Sequence, residues 1–516
     1  MKQHSIFFNR LFLVPLLALA GCNDFLDEAP SKTSSLVVST VDQLDALLGN
    51  YSSFYQVADR NSIYGTDDYG LPLDLYLTRP GTFSLAAVQY YTWDTENIPF
   101  DGRLSFWPNQ YRKIFYANMV LQNLANVSGP DDQKAELKAE AHLIRAYAYH
   151  ELVNKYCLPL DESTGAEPGL PLKQSTSFEE LDSRDNLERT YALIEADIEE
   201  ALKITVPLVK DGRVRHWRGN TGAANAFAAR YWLGRNDHEK ALGYANAALA
   251  IHSGLVDYNT DMHYSERPPT AYTIDPNDPD KRETVYLKFP YTHDNQSDMT
   301  DMLGWKEFYY FRLLYHESWW YVPSAELLDL YARDTMDLRY RYHVVEGYSY
   351  DRGVTSPSYD YPGYVFFFKD RVPSGPTVAE MLLTKAECLA RAGDVPGAMA
   401  TVNILRAKRM DSSLPAGEIN LSASTREEAI VKILEERRRE MPFAHRWFDI
   451  RRFNASPDAF DDVVLARQFF PYTSSAVSPG EPLKTYSLPK GSRRFAVPIP
   501  NTELVSSDGK IEQNKY

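Results

Sequence analysis

Cysteine is nearly absent: 516 residues contain three, at Cys22, Cys157 and Cys388. So few cannot form a disulfide framework, and neither Cys157 nor Cys388 has a cysteine or histidine nearby at metal-ligand spacing. Cys388 falls among the apolar positions of a helical pattern, where a thiol behaves as a small buried hydrophobe. Positive charge is also short, with 55 Lys and Arg against 70 Asp and Glu and a formal net charge of -15. Such a chain lacks the clustered cations that neutralise phosphates, so nucleic acid is excluded as a partner. The apolar run from Leu11 to Ala20 is about half of the roughly 20 residues that a membrane-spanning helix needs, and nothing later in the chain is a second candidate. Catalytic motifs are missing as well. There is no His-Glu-x-x-His helix, no Gly-x-Ser-x-Gly elbow, no phosphate-binding glycine loop and no Cys/His nucleophile cluster. Seventy acidic residues guarantee many carboxylate pairs, so pairs alone do not mark a glycosidase. His142, His150 and His445 stand singly on helical or turn segments and read as structural. The expectation is a protein that is not an enzyme, with no catalytic residue, metal or cofactor.

What the N-terminus does contain is an export signal. Lys2 and Arg10 precede the apolar run, which ends in Leu19-Ala20-Gly21-Cys22. Small residues directly before a cysteine suit lipoprotein processing, with residues 1–21 removed and Cys22 acylated, palmitate included. Several acyl chains give the stable anchoring that one cannot. The acidic, Pro-containing residues 22–33 read as a tether. Residues 34–516 then form one domain, with an N-terminal part over about 34–250 and a C-terminal part over about 251–516.

Apolar residues in this domain repeatedly fall on one helical face. Ile114, Ala117, Leu121 and Leu124 do so first; Leu137, Ala141, Ile144, Ala148 and Leu152 follow after Gly129-Pro130 and predict an antiparallel partner. Leu187, Tyr191, Ile194, Ile198 and Leu202 repeat the pattern, and two alanine-rich helices between Gly222 and Ala250 divide near Gly234-Arg235-Asn236-Asp237. A further pair spans about Thr377 to Arg409, broken at Gly393, with Asp394 and Pro396 as start signals. Pairs of this size with small residues at their crossings look like degenerate tetratricopeptide repeats. The fold class expected is mostly α: tetratricopeptide-like helix pairs as a scaffold, carrying a large irregular loop-rich face. That face comes from insertions over about Ser34–Phe106, Ile251–Glu317 and Tyr340–Gly375, which are rich in Tyr, Trp, Pro, Gly and Asp. Loops on a rigid scaffold usually carry function.

Near the C-terminal end, Glu435-Glu436-Arg437-Arg438-Arg439-Glu440 and then Phe443-Ala444-His445-Arg446-Trp447-Phe448-Asp449-Ile450-Arg451-Arg452 closely resemble the signature helix and turn of the SusD/RagB family. Ala386-Glu387 with Asn403 and Arg406, Ala141 to Leu152 with Leu158-Pro159-Leu160, and Pro498-Ile499-Pro500 agree, so the resemblance spans nearly the whole chain. It implies a surface-exposed, lipid-anchored outer-membrane protein of Bacteroidetes that sits as a lid on a SusC-like TonB-dependent transporter. Its ligand would be an oligosaccharide or polysaccharide or, in the RagB branch, a peptide, handed over without bond cleavage. The Glu/Arg run itself reads as structural: such residues on a helix normally form i,i+4 ion pairs at a solvated face, and Trp447 and Phe448 beside it suggest that part of it is buried.

Glycan recognition needs flat aromatic faces for the C–H side of a pyranose and polar groups for its hydroxyls. The insertions offer Trp93 with Asn97 after Asp67 in the first, and Trp305, Tyr309, Trp319 and Trp320 around the second. These seven are the candidate ligand-binding residues.

Overall fold

The structure is a computed structural model. It describes residues 38–78, 80–177, 183–264, 270–275, 278–285, 290–291, 302–316, 321–331, 336–345, 361–367 and 370–516. Cys22, the tether, Trp319 and Trp320 lie outside the described residues.

Helices of nine residues or more are numbered α1–α10: Val41–Gly49, Phe106–Asn123, Asp131–Tyr156, Leu187–Ala201, Thr221–Gly234, His238–Ile251, Val378–Arg391, Val395–Arg406, Arg426–Glu440 and Arg446–Asn454. Their starts follow from local chemistry. Thr40, Asn186, Asn220, Asp237, Thr377, Asp394 and Thr425 each cap a helix by accepting a backbone N–H of the first turn, satisfying a donor the helix cannot. The pairs that periodicity predicts pack together, α2 on α3, α5 on α6 and α7 on α8; α3 also packs on α4, and α7 on α6 and α9. The break between α7 and α8 is Gly393 in the left-handed region, at φ 87°. Between α5 and α6 that role falls to Asn236, at φ 56°, because Gly234 is still helical. A Cβ on Gly234 would come within 2.6 Å of the Phe448 ring, so this glycine serves packing.

One hydrophobic core runs from α2 through α3, α4 and α5 into the irregular face. A second lies among α5 to α9, where Ala226, Ala229, Ala245, Ala386 and Ala398 let backbones approach closely. A third joins α1 to α2 and α3 through Val41, Leu44, Ala117 and Ile144. The irregular face is less bare of helix than expected. Arg60–Tyr64, Leu73–Thr78, Leu85–Tyr91, Ala325–Leu330 and Leu338–His343 are helices, each too short to display a 3.6-residue period.

Three strands organise this face: β1 (Gln56–Val57) is parallel to the central β2 (Leu313–Tyr315), and β3 (Arg371–Pro373) is antiparallel to it. Val57, Leu314 and Val372 form one buried row across the sheet, and Tyr315 stands opposite Arg371 in the next. A hairpin of β4 (Leu465–Phe469) and β5 (Lys484–Leu488) flanks it. At the end of the chain, Asn514 donates from its side-chain amide to the carbonyls of Tyr156 and Val497, and Gln513 exchanges hydrogen bonds with Ile499.

Candidate ligand-binding face

Three of the candidate aromatics are core residues. Trp93 is 3 % exposed, Trp305 5 % and Tyr309 0 %. Trp93 adopts φ 55°, a costly conformation for a bulky residue, and is held there from both sides. Its indole N–H donates to the Gly65 carbonyl at 2.8 Å, and the Arg467 guanidinium lies 4.7 Å from its ring. Trp305 meets Phe366 and Phe367 edge-on at 5.0 and 5.6 Å. The Tyr309 hydroxyl donates to the His252 carbonyl. These rings offer no face to solvent; they position the loops that do.

Asp67 is likewise engaged. Both its oxygens accept from Arg446 at 2.7 Å, and Arg438 lies within 3.4 Å. Burial opposes its ionisation, but the Arg446 and Arg438 guanidiniums outweigh it and hold the carboxyl well below the usual range. Neighbouring Asp68 accepts from Arg438 at 2.6 Å and from the Phe443 backbone N–H at 2.8 Å, fixing Phe443 at φ 64°. The signature helix is therefore structural, as expected, but its ion pairs are mainly long-range and buried. Arg437 donates to Asp449, Arg439 to Glu436, and Arg452 to both oxygens of Glu387 at 2.7 and 2.8 Å. The partial burial that Trp447 and Phe448 suggest extends along the helix, but partners such as Asp67 and Asp68 lie far upstream in the chain and no local spacing reveals them.

Asn97 does sit at a half-exposed turn. Its side-chain amide donates to Asp94 Oδ2 at 2.7 Å, while Asp94 Oδ1 accepts the backbone N–H groups of Glu96 and Asn97. Against this turn, Thr92 Oγ1 and the Tyr472 hydroxyl are 2.5 Å apart, and the Tyr472 and Tyr486 rings stack at 5.8 Å with 19° between planes. Both rings are half-buried.

A second group of aromatic residues lies beside β1. Tyr51 and Tyr55, also half-buried, lie 5.9 Å apart, and Tyr55 stacks on buried Phe311 at 5.6 Å. Burial raises the Tyr55 hydroxyl, and Arg371 opposes the rise. Arg371 is 21 % exposed in its side chain, with Nε 3.6 Å from Asp370, too long for a strong pair. Tyr315 stands beside it on β2. A run of buried rings crosses the interior of this face: His316 to Tyr64 at 5.5 Å, Tyr64 to Tyr69 at 5.0 Å, Tyr69 to Tyr91 at 6.2 Å, and Tyr91 to Phe469 at 6.0 Å. Tyr51, Tyr55, Arg371, Tyr472 and Tyr486 were not anticipated. Only the i,i+4 spacing of Tyr51 and Tyr55 could have marked any of them, as one paired surface.

Among the described residues, no group of three or more His, Cys, Asp or Glu side chains could hold a metal ion, and no helix is long and apolar enough to cross a membrane. The helical scaffold with a loop-rich face, aromatic at its surface and pinned beneath by arginine, defines a class that comparison with known proteins identifies. Residues 24–233 match a family described as starch-binding and associating with the outer membrane, and residues 378–516 match the SusD family. The chain belongs to the SusD/RagB family. It is 25% identical to SusD-like protein P2 of Formosa agariphila, covering 100% of this chain and 99% of that one. Among solved structures, a SusD superfamily protein of Bacteroides thetaiotaomicron superposes with a TM-score of 0.59 at 17% identity, covering 92% of this chain and 100% of the other. A laminarin-binding SusD-like protein gives 0.57 at 17% identity, covering 92% and 99%.

Proposed function

We propose that this protein captures an oligosaccharide or polysaccharide at the outer membrane and delivers it to a SusC-like TonB-dependent transporter, on which it acts as a lid. Cys22 carries the lipid anchor, residues 22–33 are the tether, and the protein faces the extracellular side. Binding uses the irregular face. The observation that carries this reading is the half-exposed pair Tyr51 and Tyr55, with a partly exposed cation, Arg371, whose charge bears on the Tyr55 hydroxyl. A pyranose presents matching chemistry, an apolar C–H side and a rim of hydroxyls. Asn97 with Tyr472 and Tyr486 extends the surface, and Trp319 and Trp320, on the segment directly after β2, are its further candidates.

Calorimetry on a panel of polysaccharides, laminarin included, and of peptides tests the reading, with a product assay on each mixture. Saturable glycan binding without new products, weakened by Arg371→Ala, is expected. Binding confined to peptides would move the protein to the peptide-capturing branch, and turnover of any polymer would make it an enzyme.

A further inference from the structure

Away from the sheet, α2, the segment 171–177 and the short helix Asn501–Ser506 enclose a cleft of about 630 Å³. That lies within the roughly 300–1,000 Å³ of small-molecule sites. Residues 111, 112, 115 and 116 of α2 all line it, because the one-turn spacing repeats the same pair of neighbouring positions. They are Tyr111, Arg112, Phe115 and Tyr116, and the opposite wall carries Glu503 and Ser506.

The lining has two characters. Phe115 and Tyr116 meet edge-on at 6.1 Å and are half-buried, so each ring keeps accessible surface. Tyr111 is anchored by its hydroxyl, which donates to the Pro171 carbonyl at 2.9 Å. Arg112 is exposed and makes no hydrogen bond or ion pair with any described residue. Glu503 also lacks an ion pair among the described residues, and burial raises its carboxyl above the ordinary value. An acyl chain would leave Arg112 and Glu503 unused, whereas a sugar ring engages rings and polar groups together.

We propose that this cleft is a second saccharide site, separate from the sheet face and sized for a short oligosaccharide. Phe115 and Tyr116 supply the apolar platform, and Arg112 and Glu503 hydrogen-bond the ring hydroxyls. The ligand class, though not the location, rests on the carbohydrate reading above. Two sites on one molecule would let a long glycan bridge them or let two chains bind at once.

The test is calorimetry of the purified full chain with laminarin-derived and uronic-acid oligosaccharides of two to six sugars. Ser506→Trp fills the cleft from an exposed position, Arg112→Ala removes its cation, and Arg371→Ala disables the sheet face. Two sites are expected, one abolished by Ser506→Trp and weakened about tenfold by Arg112→Ala, with thermal midpoints unchanged. Saccharide binding lost in Arg371→Ala but untouched by Ser506→Trp would overturn the second site and leave the carbohydrate reading standing. Binding lost in Ser506→Trp but untouched by Arg371→Ala would support the cleft and overturn the sheet face. No saccharide binding at all would overturn both.

Discussion

Arginine does different work in the two regions of this molecule. At three places in the helical scaffold it is buried and held on carboxylates. Arg230 donates to both oxygens of Glu380 at 2.8 and 2.7 Å, Arg452 does the same to Glu387, and Arg409 reaches both Glu307 and Glu440. On the irregular face Arg371 is partly exposed, with its Nε 3.6 Å from the nearest carboxylate. A buried pair fixes geometry because losing one partner strands the other charge, whereas a half-exposed cation is free to meet a ligand. The contrast teaches that burial, not residue type, separates the framework of this fold from its proposed binding surface.

Acid has the largest expected effect, and it reaches the buried interior of both regions. Burial holds His150, His316, His343 and His445 neutral by lowering each to about 3 from an ordinary 6.5. The unfolded chain takes up these protons as pH falls below 6.5 and the folded chain does not, so stability is full above that pH and declines beneath it. At pH 5 each histidine costs about 2 kcal/mol. Glu380, lowered to about 2 from 4.5 by Arg230 against the opposing effect of burial, adds a further loss between those values as pH continues to fall. Urea midpoints measured from pH 8 to 4 should drop steeply below 6.5. A flat profile would mean that these histidines are not buried neutral.

Next in size is Arg452→Ala, which leaves Glu387 and Asp449 buried with fewer cations and should destabilise by about 3–5 kcal/mol in urea unfolding. Arg371→Ala on the face should cost under about 1 kcal/mol; equal losses would erase the distinction between the regions. Aromatic residues sharpen it in the same way. Trp93→Ala should cost about 3–5 kcal/mol, while Tyr55→Ala should cost about 1 kcal/mol and weaken glycan binding about tenfold in calorimetry. The smallest effect concerns the thiols. Cys157 and Cys388 are buried and unpaired, and burial pushes Cys157 up to about 11 and raises Cys388 as well. A thiol-reactive dye should therefore label neither in the native protein and both after unfolding.

The scaffold was legible in the sequence because its information is local. Leu187, Tyr191, Ile194 and Ile198 line the buried side of α4, and Asp394 with Pro396 starts α8 at the anticipated place. Even α3 was legible, although it is buried nearly all round its 26 residues and shows little amphipathic contrast. The candidate site was legible only in part. Asn97 lies at a half-exposed turn, but Trp93, Trp305 and Tyr309 are enclosed by partners remote in the chain, and an aromatic residue carries the same letter in a core and on a platform. The partners of the Glu/Arg run stayed hidden for the same reason. Its carboxylate partners come from α7, from α10 and from residues 67 and 68.

The tail that latches onto α3 has a consequence in time. Asn514 reaches back 358 positions to Tyr156, and Arg446 reaches back 379 to Asp67. Loops of that length close slowly, and contacts so distant raise the barrier to folding. The helix pairs can form as the chain emerges, but the irregular face cannot close around Asp67 until α10 has arrived, and α3 is not secured before Asn514 does. The irregular face is thus the last part of the molecule to close, and until then its aromatic core stays open to chaperones and proteases.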